Sequence, residues 1–283
     1  MRRLTKRKWL LLLLLAGPFP AIAADEPPKQ GSAPPAFAVP QHRLLNDRFR
    51  LSLGAFYAES TTEARLSPQP GGTGVDVNFE DLLGLESRQW VGEGSFYWRF
   101  AEHWRFDLGY FSINRNGTRT LSTQVDWGGN TYPIGTTVNS TFNMSDLRAA
   151  VGYSFFRRPD KEFGVGLGLH KTSFKVSLDA AGIGAAGQSV TAPLPFLTLY
   201  GNFALTDNWA LAVRSDWLSL SYDKYSGGVR ATALDFVYQP FTHWAFGFGV
   251  HSLTIKLDVD NPDSKLQARM VFQGPAAFAS YSF

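Results

Sequence analysis

Apolar and polar residues alternate one by one over much of the chain, and this alternation constrains the fold more than any other feature. The segment 104–110 reads WRFDLGY, and the same period of two recurs in 49–57, 148–155, 209–214 and 244–251. Successive side chains of a β-strand point to opposite faces, so this period indicates strands whose two faces meet different surroundings. The sequence therefore predicts an all-β fold.

The composition of the polar face separates a soluble fold from a membrane fold. In these segments that face combines glycine, alanine and serine with arginine, aspartate and histidine. The mixture suits a narrow polar interior, and apolar residues turned outward suit contact with lipid, which is the pattern of a transmembrane β-barrel. A soluble sandwich or a lipocalin-like barrel is the alternative, since alternation within one segment is a weak signal.

Short and long connections alternate along the chain. Short polar connections lie at 101–103, 157–161, 205–208 and 239–243. The longer polar segments between them, which we expect to be loops, lie at 67–87, within 122–143, and at 180–192, 223–228 and 258–264. In transmembrane barrels the short turns are periplasmic and the long loops are outside. We therefore predict a transmembrane antiparallel up-and-down β-barrel with periplasmic N- and C-termini.

The number of apolar segments gives the number of strands. We expect ten strands, with eight or twelve as alternatives, because boundaries interpreted from one sequence err by about two to four residues. The predicted strands are 48–60, 89–100, 104–121, 137–156, 162–177, 194–204, 209–222, 229–238, 244–257 and 266–283.

Aromatic residues follow the short connections. Three of these connections lead directly into a tryptophan, and the fourth leads through Glu162 into a phenylalanine. Amphipathic rings collect at the boundary between lipid and water, where they form a girdle around a barrel. The predicted aromatic girdle consists of Trp104, Phe163, Trp209 and Trp244.

The alternation also directs charged residues of both signs into the lumen. A charge in a low-dielectric interior is costly unless it is paired, so we expect ion pairs that plug the narrow lumen of a ten-stranded barrel. The predicted lumen charge network consists of Arg50, Glu93, Arg99, Arg105, Asp107, Arg115, Asp146, Arg148, Glu162, His170, Arg214, Asp216, Asp235 and His251.

Gly164, Gly166 and Gly168 fall on the same lumen-facing side of one predicted strand. Their spacing does not fit a dinucleotide-binding fingerprint, and no helix follows them. We expect these glycines to make room for bulky residues opposite, or to let the strand bend.

The N-terminus has the features of a secretory leader. Five basic residues within 2–8 precede an apolar run at 9–16, and Ala21 and Ala23 form a cleavage motif. The apolar run is too short to span a membrane as a helix. We therefore expect export by the Sec pathway. The predicted regions are a cleaved signal peptide at 1–23, a proline-rich flexible periplasmic segment at 24–43 and a barrel at 44–283.

Charge and cysteine content exclude several classes of function. Five of the 27 basic residues lie in the predicted leader, which leaves 22 against 24 acidic residues. We see no basic patch, so we expect no nucleic-acid partner. The chain has no cysteine, which excludes disulfides, thiolate metal sites and a lipid-modified N-terminal cysteine. We expect no metal and no cofactor.

The chain ends in an alternating strand with an aromatic last residue. Phe283, Tyr281 and Ala279 share one face. This ending resembles that of bacterial, Gram-negative outer-membrane β-barrel proteins of the small-barrel class, the size of OmpA-type domains or omptins. The resemblance implies that the chain resides in the cell outer membrane and contacts its lipid and lipopolysaccharide. It also implies that Tyr281 and Phe283 form an assembly signal for the barrel-assembly machinery and periplasmic chaperones.

Three hypotheses about function follow. In the first, a plugged barrel serves a structural or surface-interaction role through its exposed loops. In the second, it is a narrow porin-like channel for small or hydrophobic solutes. In the third, it is an enzyme, either a lipid A deacylase or an omptin-like protease. We favour the first and do not expect an enzyme, because no Asp-x-His motif occurs and the adjacent His251 and Ser252 point to opposite faces of a strand. The oligomeric state stays open.

Overall fold

The computed structural model describes residues 39–68, 75–222, 225–260 and 264–283. The predicted signal peptide and most of the predicted proline-rich segment lie outside these residues. In the described part of the chain, no helix combines the length and the apolar composition that crossing a membrane requires.

The described residues form β-strands almost throughout. One 3-10 turn spans Arg43–Leu45, and one short helix, α1, spans Phe79–Leu83. The strands are β1 (Phe49–Pro68), β2 (Val75–Asn78), β3 (Arg88–Arg99), β4 (Trp104–Thr120), β5 (Val125–Trp127), β6 (Asn130–Tyr132), β7 (Thr137–Arg157), β8 (Lys161–Ala180), β9 (Gly184–Ala204), β10 (Trp209–Tyr222), β11 (Tyr225–Tyr238), β12 (Trp244–Asp260) and β13 (Ser264–Ser282).

The long strands close into a barrel. The strands β1, β3, β4 and β7 to β13 pair in sequence order, and β13 pairs back with β1, which gives ten antiparallel strands in the described chain. Arg50 shows the closure, since it lies opposite Ser282 on one side and Tyr97 on the other. The predicted antiparallel β-barrel and its number of strands are confirmed. We call the end that carries the connections 100–103, 158–160, 205–208 and 239–243 the turn end, and the opposite end the loop end.

The strands reach further toward the loop end than the sequence predicts. The prediction of a long loop at 180–192 is wrong, because β8 and β9 form a hairpin whose connection is only 181–183. The predicted loops at 223–228 and 258–264 are likewise mostly strand where the structure describes them. These segments are polar on their outer face, so they lack the lipid-facing aromatic residues on which the prediction relied.

The polar and apolar faces of the strands change places part of the way along the barrel. In β7 the even-numbered residues are buried from Val138 to Ser154 and point inward. The outward, odd-numbered residues are Asn, Thr and Ser at 139–145, but Leu, Ala, Val, Tyr and Phe at 147–155. The inward residues change in the opposite sense, from Phe142 and Met144 to Asp146 and Arg148. Such an exchange is expected where a barrel leaves lipid and enters water.

The same exchange occurs in the neighbouring strands. In β8 the outward residues change from Leu169 to Lys171, and in β12 they change from Val250 to Ser252. We call the loop-end part of the barrel, which is polar outside and apolar inside, the collar. The collar comprises 59–65 of β1, 112–120 of β4, 137–145 of β7, 171–179 of β8, 185–193 of β9, 252–258 of β12 and 267–273 of β13.

The lumen glycines accept bulky side chains from the next strand. A Cβ on Gly164 would collide with the ring of Tyr200, and a Cβ on Gly168 would collide with the ring of Phe196. Their predicted role of making room is confirmed.

Candidate functional site: the polar lumen

All residues of the predicted lumen charge network point into the barrel, because they share the inward parity of their strands. Most of them fall into four clusters, the Arg105–Asp107 pair lies beside the first cluster, and Arg50 bonds Asp47 in the segment before β1. Three clusters lie at the level where the outer face of the barrel is apolar, and the fourth lies in the collar.

The first cluster surrounds Glu162 near the turn end. Arg99 donates to both carboxylate oxygens of Glu162, at 2.8 and 2.9 Å, and both side chains are buried. Asn202 donates to the same carboxylate at 3.2 Å, and the hydroxyl of Ser154 also donates to it. Ser154 further lies 2.9 Å from the hydroxyl of Tyr200. The carboxylate on β8 is therefore held by groups from three other strands, β3, β7 and β9.

The ion pair between Arg105 and Asp107 lies beside the first cluster, and both residues belong to β4. Arg105 donates to both oxygens of Asp107, at 2.8 and 3.0 Å. The guanidinium carbon of Arg105 lies 3.5 Å from the centre of the Tyr200 ring. Stacking on an aromatic face stabilises a guanidinium beyond its hydrogen bonds.

The second cluster crosses the middle of the lumen. Arg148 donates to Asp216 at 2.6 and 2.9 Å, and Arg214 lies 3.7 Å from the same carboxylate. On the strand next to that of Arg148, the imidazole Nδ1 of His170 lies 2.8 Å from Asp146. Removal of one partner of such a buried pair leaves an uncompensated charge.

The third cluster is centred on His251. Its Nδ1 lies 3.2 Å from Glu93 and its Nε2 lies 3.0 Å from Asp235. Both ring nitrogens thus face carboxylates, an arrangement that suits an imidazolium donating from both sides.

The fourth cluster contains Arg115 and lies apart from the other charges. Arg115 is fully buried and donates to Glu80 at 2.5 Å and to Thr62 at 2.7 Å. Its guanidinium carbon lies 4.4 Å from the centre of the Phe142 ring. The pairing with Glu80 holds α1 inside the collar.

An apolar layer separates Arg115 from the membrane-level charges. The layer consists of buried side chains that point inward from five strands. Its members are Phe56, Ile113, Met144, Leu253 and Phe272. Charges on the two sides of this layer therefore form separate networks rather than one.

Further elements close the loop end. Leu83 of α1 and Leu85 after it are each 4% exposed and pack on the same apolar cluster. The β5–β6 hairpin contributes Tyr132, which is fully buried, and its hydroxyl lies 3.1 Å from the carbonyl oxygens of Leu178 and Gly184. The helix and the hairpin thus lie across the interior of the collar.

The segment before β1 closes the turn end. Leu44 and Leu45 are 5% and 0% exposed. Leu44 packs against inward alanine and valine side chains of three strands, Ala210, Val237 and Ala245. We call the residues 42–47 the plug.

Polar contacts hold the plug in place. Asp47 accepts hydrogen bonds from Arg50 at 3.2 Å and from Ser282 at 2.5 Å, and Arg157 donates to the carbonyl of Leu45 at 3.1 Å. His42 is fully buried, and its Nδ1 accepts the backbone N–H of Leu44 at 3.0 Å. Burial lowers the pKa of the His42 imidazole below its usual 6.5.

A cavity of about 240 Å³ lies between the plug and the apolar layer. Leu44 bounds it at one end and Phe272 at the other. Buried polar atoms that lack a hydrogen-bond partner among the described residues border it, namely Tyr97 Oη, Arg148 Nη1 and His170 Nε2. Polar atoms of this kind beside a cavity are typical binding points for ordered water, and the volume has room for several water molecules.

The histidines do not form a nucleophile–base couple in the described residues. Nδ1 of His170 and both ring nitrogens of His251 lie within hydrogen-bond distance of carboxylates, and Nδ1 of His42, His103 and His243 lies within hydrogen-bond distance of backbone groups. No group of three or more side chains within the described ranges is arranged to hold a metal ion.

The predicted girdle residues lie at the turn end and contact other rings. Trp104 lies 5.0 Å from Tyr153, Trp244 lies 5.1 Å from Tyr281, and Trp209 lies 4.7 Å from Tyr238, as distances between ring centres. Phe163 lies 5.0 Å from Phe203. In the predicted assembly signal, the rings of Tyr281 and Phe283 lie 6.1 Å apart, and Phe283 is 63% exposed.

Several residues of the clusters were missed by the sequence analysis, which considered only charged residues on predicted strands. Ser154, Tyr200 and Asn202 have the same inward parity as the charges beside them, and this parity could have identified them. Asp47 and Glu80 lie outside the predicted strands, so periodicity gave no signal for them.

Comparisons with known proteins support the fold. No protein-family model and no curated protein matches the chain. Among solved structures, the outer membrane protease OmpT from Escherichia coli superposes with a TM-score of 0.56 at 10% identity, over 83% of this chain and 96% of that one. At this identity the likeness shows the fold alone, which is that of an outer-membrane β-barrel.

Two further matches have low TM-scores. Ail of Yersinia pestis, solved with the heparin analogue sucrose octasulfate, has a TM-score of 0.32 at 10% identity, over 81% of this chain and 99% of that one. A FadL homologue from Pseudomonas aeruginosa has a TM-score of 0.33 at 11% identity, over 84% and 91% of the two chains. Scores of this size carry no argument about function.

Proposed function

We propose that this protein is an outer-membrane β-barrel with a sealed lumen, which presents its collar and loops at the cell surface in a structural or surface-interaction role. The observation that carries the proposal is that buried side chains lie across both ends of the lumen, those of the plug at the turn end and those of the apolar layer with α1 at the loop end.

The outer face supports a membrane location. Phe49 and Trp98 stack at the turn end, with ring centres 6.1 Å apart, and Tyr57 and Trp90 pair further along the same strands at 5.2 Å. The eight residue steps from Phe49 to Tyr57 cover roughly 26 Å along the strand, or about 20 Å across a membrane at a tilt near 40°. This distance is comparable with the apolar band of about 25 Å in outer-membrane barrels.

The orientation follows from the connections. Short turns are periplasmic in barrels of this class, so the turn end, the plug and both barrel termini face the periplasm, and the collar faces outward. Export through the inner membrane by the predicted leader, and assembly through the terminal Phe283, are parts of the same proposal.

A non-enzymatic role is supported by the bonding of the histidines and by the location of the carboxylates. The lumen carboxylates are bound by arginine or histidine, that of Glu80 by Arg115 inside the collar and the others below the apolar layer.

Conductance in planar bilayers tests the seal. We expect purified full-length protein to give no single-channel steps under conditions in which a general porin gives them. A variant in which residues 78–86 are replaced by a glycine–serine linker, and in which Leu44 and Leu45 are both changed to glycine, should give steps, because both closures are then weakened. Reproducible steps from the unaltered protein would reject the sealed lumen and favour the porin-like alternative.

A further inference from the structure

One edge of β9 has no partner strand in the described part of the chain. Its pairing with β8 starts at Gly184, whereas its pairing with β10 stops at Leu197, which lies opposite Trp217. β10 continues to Tyr222 without pairing to β9. Within the collar, therefore, one side of β9 is open from 184 to 196. Exposed strand edges present unpaired N–H and C=O groups, which can pair with another chain.

Two prolines identify the backbone groups that point to this edge. Pro193 and Pro195 lie within the continuous register between β9 and β8. A proline has no N–H, so it occupies positions whose nitrogen points away from the ladder. Because pairing alternates along an antiparallel strand, the other odd-numbered residues of β9 also turn their backbone groups to the open edge. These residues are Ala185, Gly187, Ser189 and Thr191.

The chain covers the comparable edge elsewhere in the collar. The collar part of β1 extends beyond the short strand β3. There the N–H of Ser60 donates to the carbonyl of Ser87 at 2.7 Å, and the N–H of Thr62 donates to Glu80 at 2.9 Å. Among the described residues, Gly128 of the β5–β6 hairpin lies beside Ala186 and Gly187 at the start of the β9 edge, and no backbone hydrogen bond of the kind seen at β1 covers the edge at Ser189 and Thr191.

Val190 gives independent evidence that the wall is open beside β9. Its even number places it on the inward face, as for the buried Phe196. Nevertheless Val190 is 59% exposed. A strand added at the edge would place apolar side chains of the same face beside Val190.

The outer face beside the edge carries two lysines and one aspartate, Asp179, which lies opposite Ala185. Lys171 and Lys175 of β8 are exposed and point outward. The residues that lie opposite them on the two neighbouring strands are neutral, namely Asn143, Leu147, Ser189 and Pro193. An added strand would lie two strand spacings, roughly 10 Å, from β8, so acidic side chains on its outer face would be attracted to these two lysines across β9.

Other occupants of the edge fit less well. The plug lies at the turn end, on the opposite side of the membrane-level barrel. Two copies in one membrane are related by a two-fold axis along the membrane normal. The two β9 strands would then run in the same direction across the interface, and they would tilt in opposite senses. That geometry does not allow an antiparallel ladder.

We propose that the β9 edge at 185–191 binds an extended segment of another protein by β-strand addition, and that this segment alternates apolar residues with aspartate or glutamate. Backbone hydrogen bonds to the edge provide affinity, and the side chains beside Val190 and the two lysines provide specificity. The proposal deepens the surface-interaction role and rests on it.

A synthetic peptide tests the proposal. The probe is an acetylated and amidated octapeptide of alternating valine and glutamate with a fluorescent label, and its polarisation is measured against the full-length barrel in lipid nanodiscs. We expect saturable binding that is at least tenfold tighter than that of the matching valine–lysine peptide.

Backbone variants show whether the edge itself binds. The double variant S189P and T191P removes two edge-facing N–H groups but leaves the pairing with β8, as Pro193 and Pro195 already do. We expect it to lose peptide binding at least tenfold while its circular dichroism and thermal unfolding stay unchanged. The pair K171A and K175A should weaken binding, whereas K161A, at the other end of β8, should not.

Three results would overturn the proposal. The first is that the peptide does not bind the unaltered protein, and the second is that it binds the S189P and T191P variant equally well. The third is a disulfide between two copies of a Ser189→Cys variant in membranes, which would identify a second copy as the occupant. Conductance does not depend on this edge, so failure here is distinguishable from failure of the sealed-barrel proposal.

Discussion

Arg99 donates two hydrogen bonds to Glu162, at 2.8 and 2.9 Å, although 63 positions separate the two residues in the chain. The pair connects β3 and β8 across the lumen, and it is buried at 7% and 0% side-chain exposure. The charge of each residue is therefore compensated only when the sheet from β3 to β8 is curved around the lumen.

Loss of one partner of this pair should destabilise the barrel. We expect Arg99→Ala to lower the free energy of unfolding by about 3–5 kcal/mol, because it leaves Glu162 as a buried carboxylate without its cation. Urea unfolding of protein in lipid vesicles, followed by tryptophan fluorescence, measures the change. As a matched control, Arg88→Ala breaks the exposed pair with Glu59 and should leave the unfolding midpoint unchanged. Equal effects of the two substitutions would show that the lumen pair has no special role.

The close approach of Tyr200 to Gly164 makes a second prediction. Gly164→Val should destabilise the barrel by about 1–3 kcal/mol through overpacking, and a Tyr200→Ala change in the same chain should recover part of the loss. The control is Gly92→Val, since nothing lies within 4 Å of a Cβ at Gly92. Thermal unfolding measures all three variants. Failure of Tyr200→Ala to recover any stability would mean that the clash lies elsewhere.

The terminal aromatic residue should affect assembly rather than stability. We expect Phe283→Ala to reduce the amount of folded protein in the outer-membrane fraction, because the assembly machinery no longer recognises the last strand. Phe241→Ala is the control, since Phe241 is also exposed at the turn end, at 62% against 63% for Phe283. Immunoblots of membrane fractions measure both variants, and equal amounts of both would argue against an assembly signal.

The plug should loosen as the pH falls. Burial lowers the pKa of His42, so the closed plug prefers the neutral imidazole, and Asp47, Arg50 and Asp207 are the charged groups near it. The contribution of His42 to closure is full above about pH 6.5, the usual value for an exposed histidine, and is lost as the pH falls below it. Maleimide labelling of a Leu45→Cys variant should therefore accelerate between pH 7.5 and pH 5, after correction for the intrinsic pH dependence of the reagent on an exposed control cysteine. The same variant with His42→Gln should show no such acceleration.

The sequence predicted the membrane-level half of the barrel because lipid imposes a clear pattern there. Residues such as Trp104 and Leu108 must be apolar where they face lipid, and Arg105 and Asp107 between them must be inward, so both faces can be assigned from the alternation alone. The closing aromatic strand at Phe283 gave a second, independent signal.

The collar could not be predicted in the same way. Its strands are polar outside and apolar inside, so the inward residues are apolar in 137–145 but polar in 147–155. A prediction that assigns polar residues to the inward face along the whole strand does not detect this change. The 185–193 segment of β9 is rich in small and polar residues and was interpreted as a loop. Long-range partners such as Glu80 for Arg115 depend on how a loop folds back into the barrel, which no local period encodes.

Single-cysteine scanning of β7 in intact cells tests the central claim most directly, since the natural chain has no cysteine. A membrane-impermeant maleimide is applied to variants at Asn139, Thr141, Asn143, Leu147, Ala149 and Val151. The account predicts rapid labelling at the first three positions and none at the last three, which face lipid. Labelling at Ala149 and Val151 as rapid as that at Asn139 and Asn143 would contradict a barrel that leaves the membrane between Ser145 and Leu147.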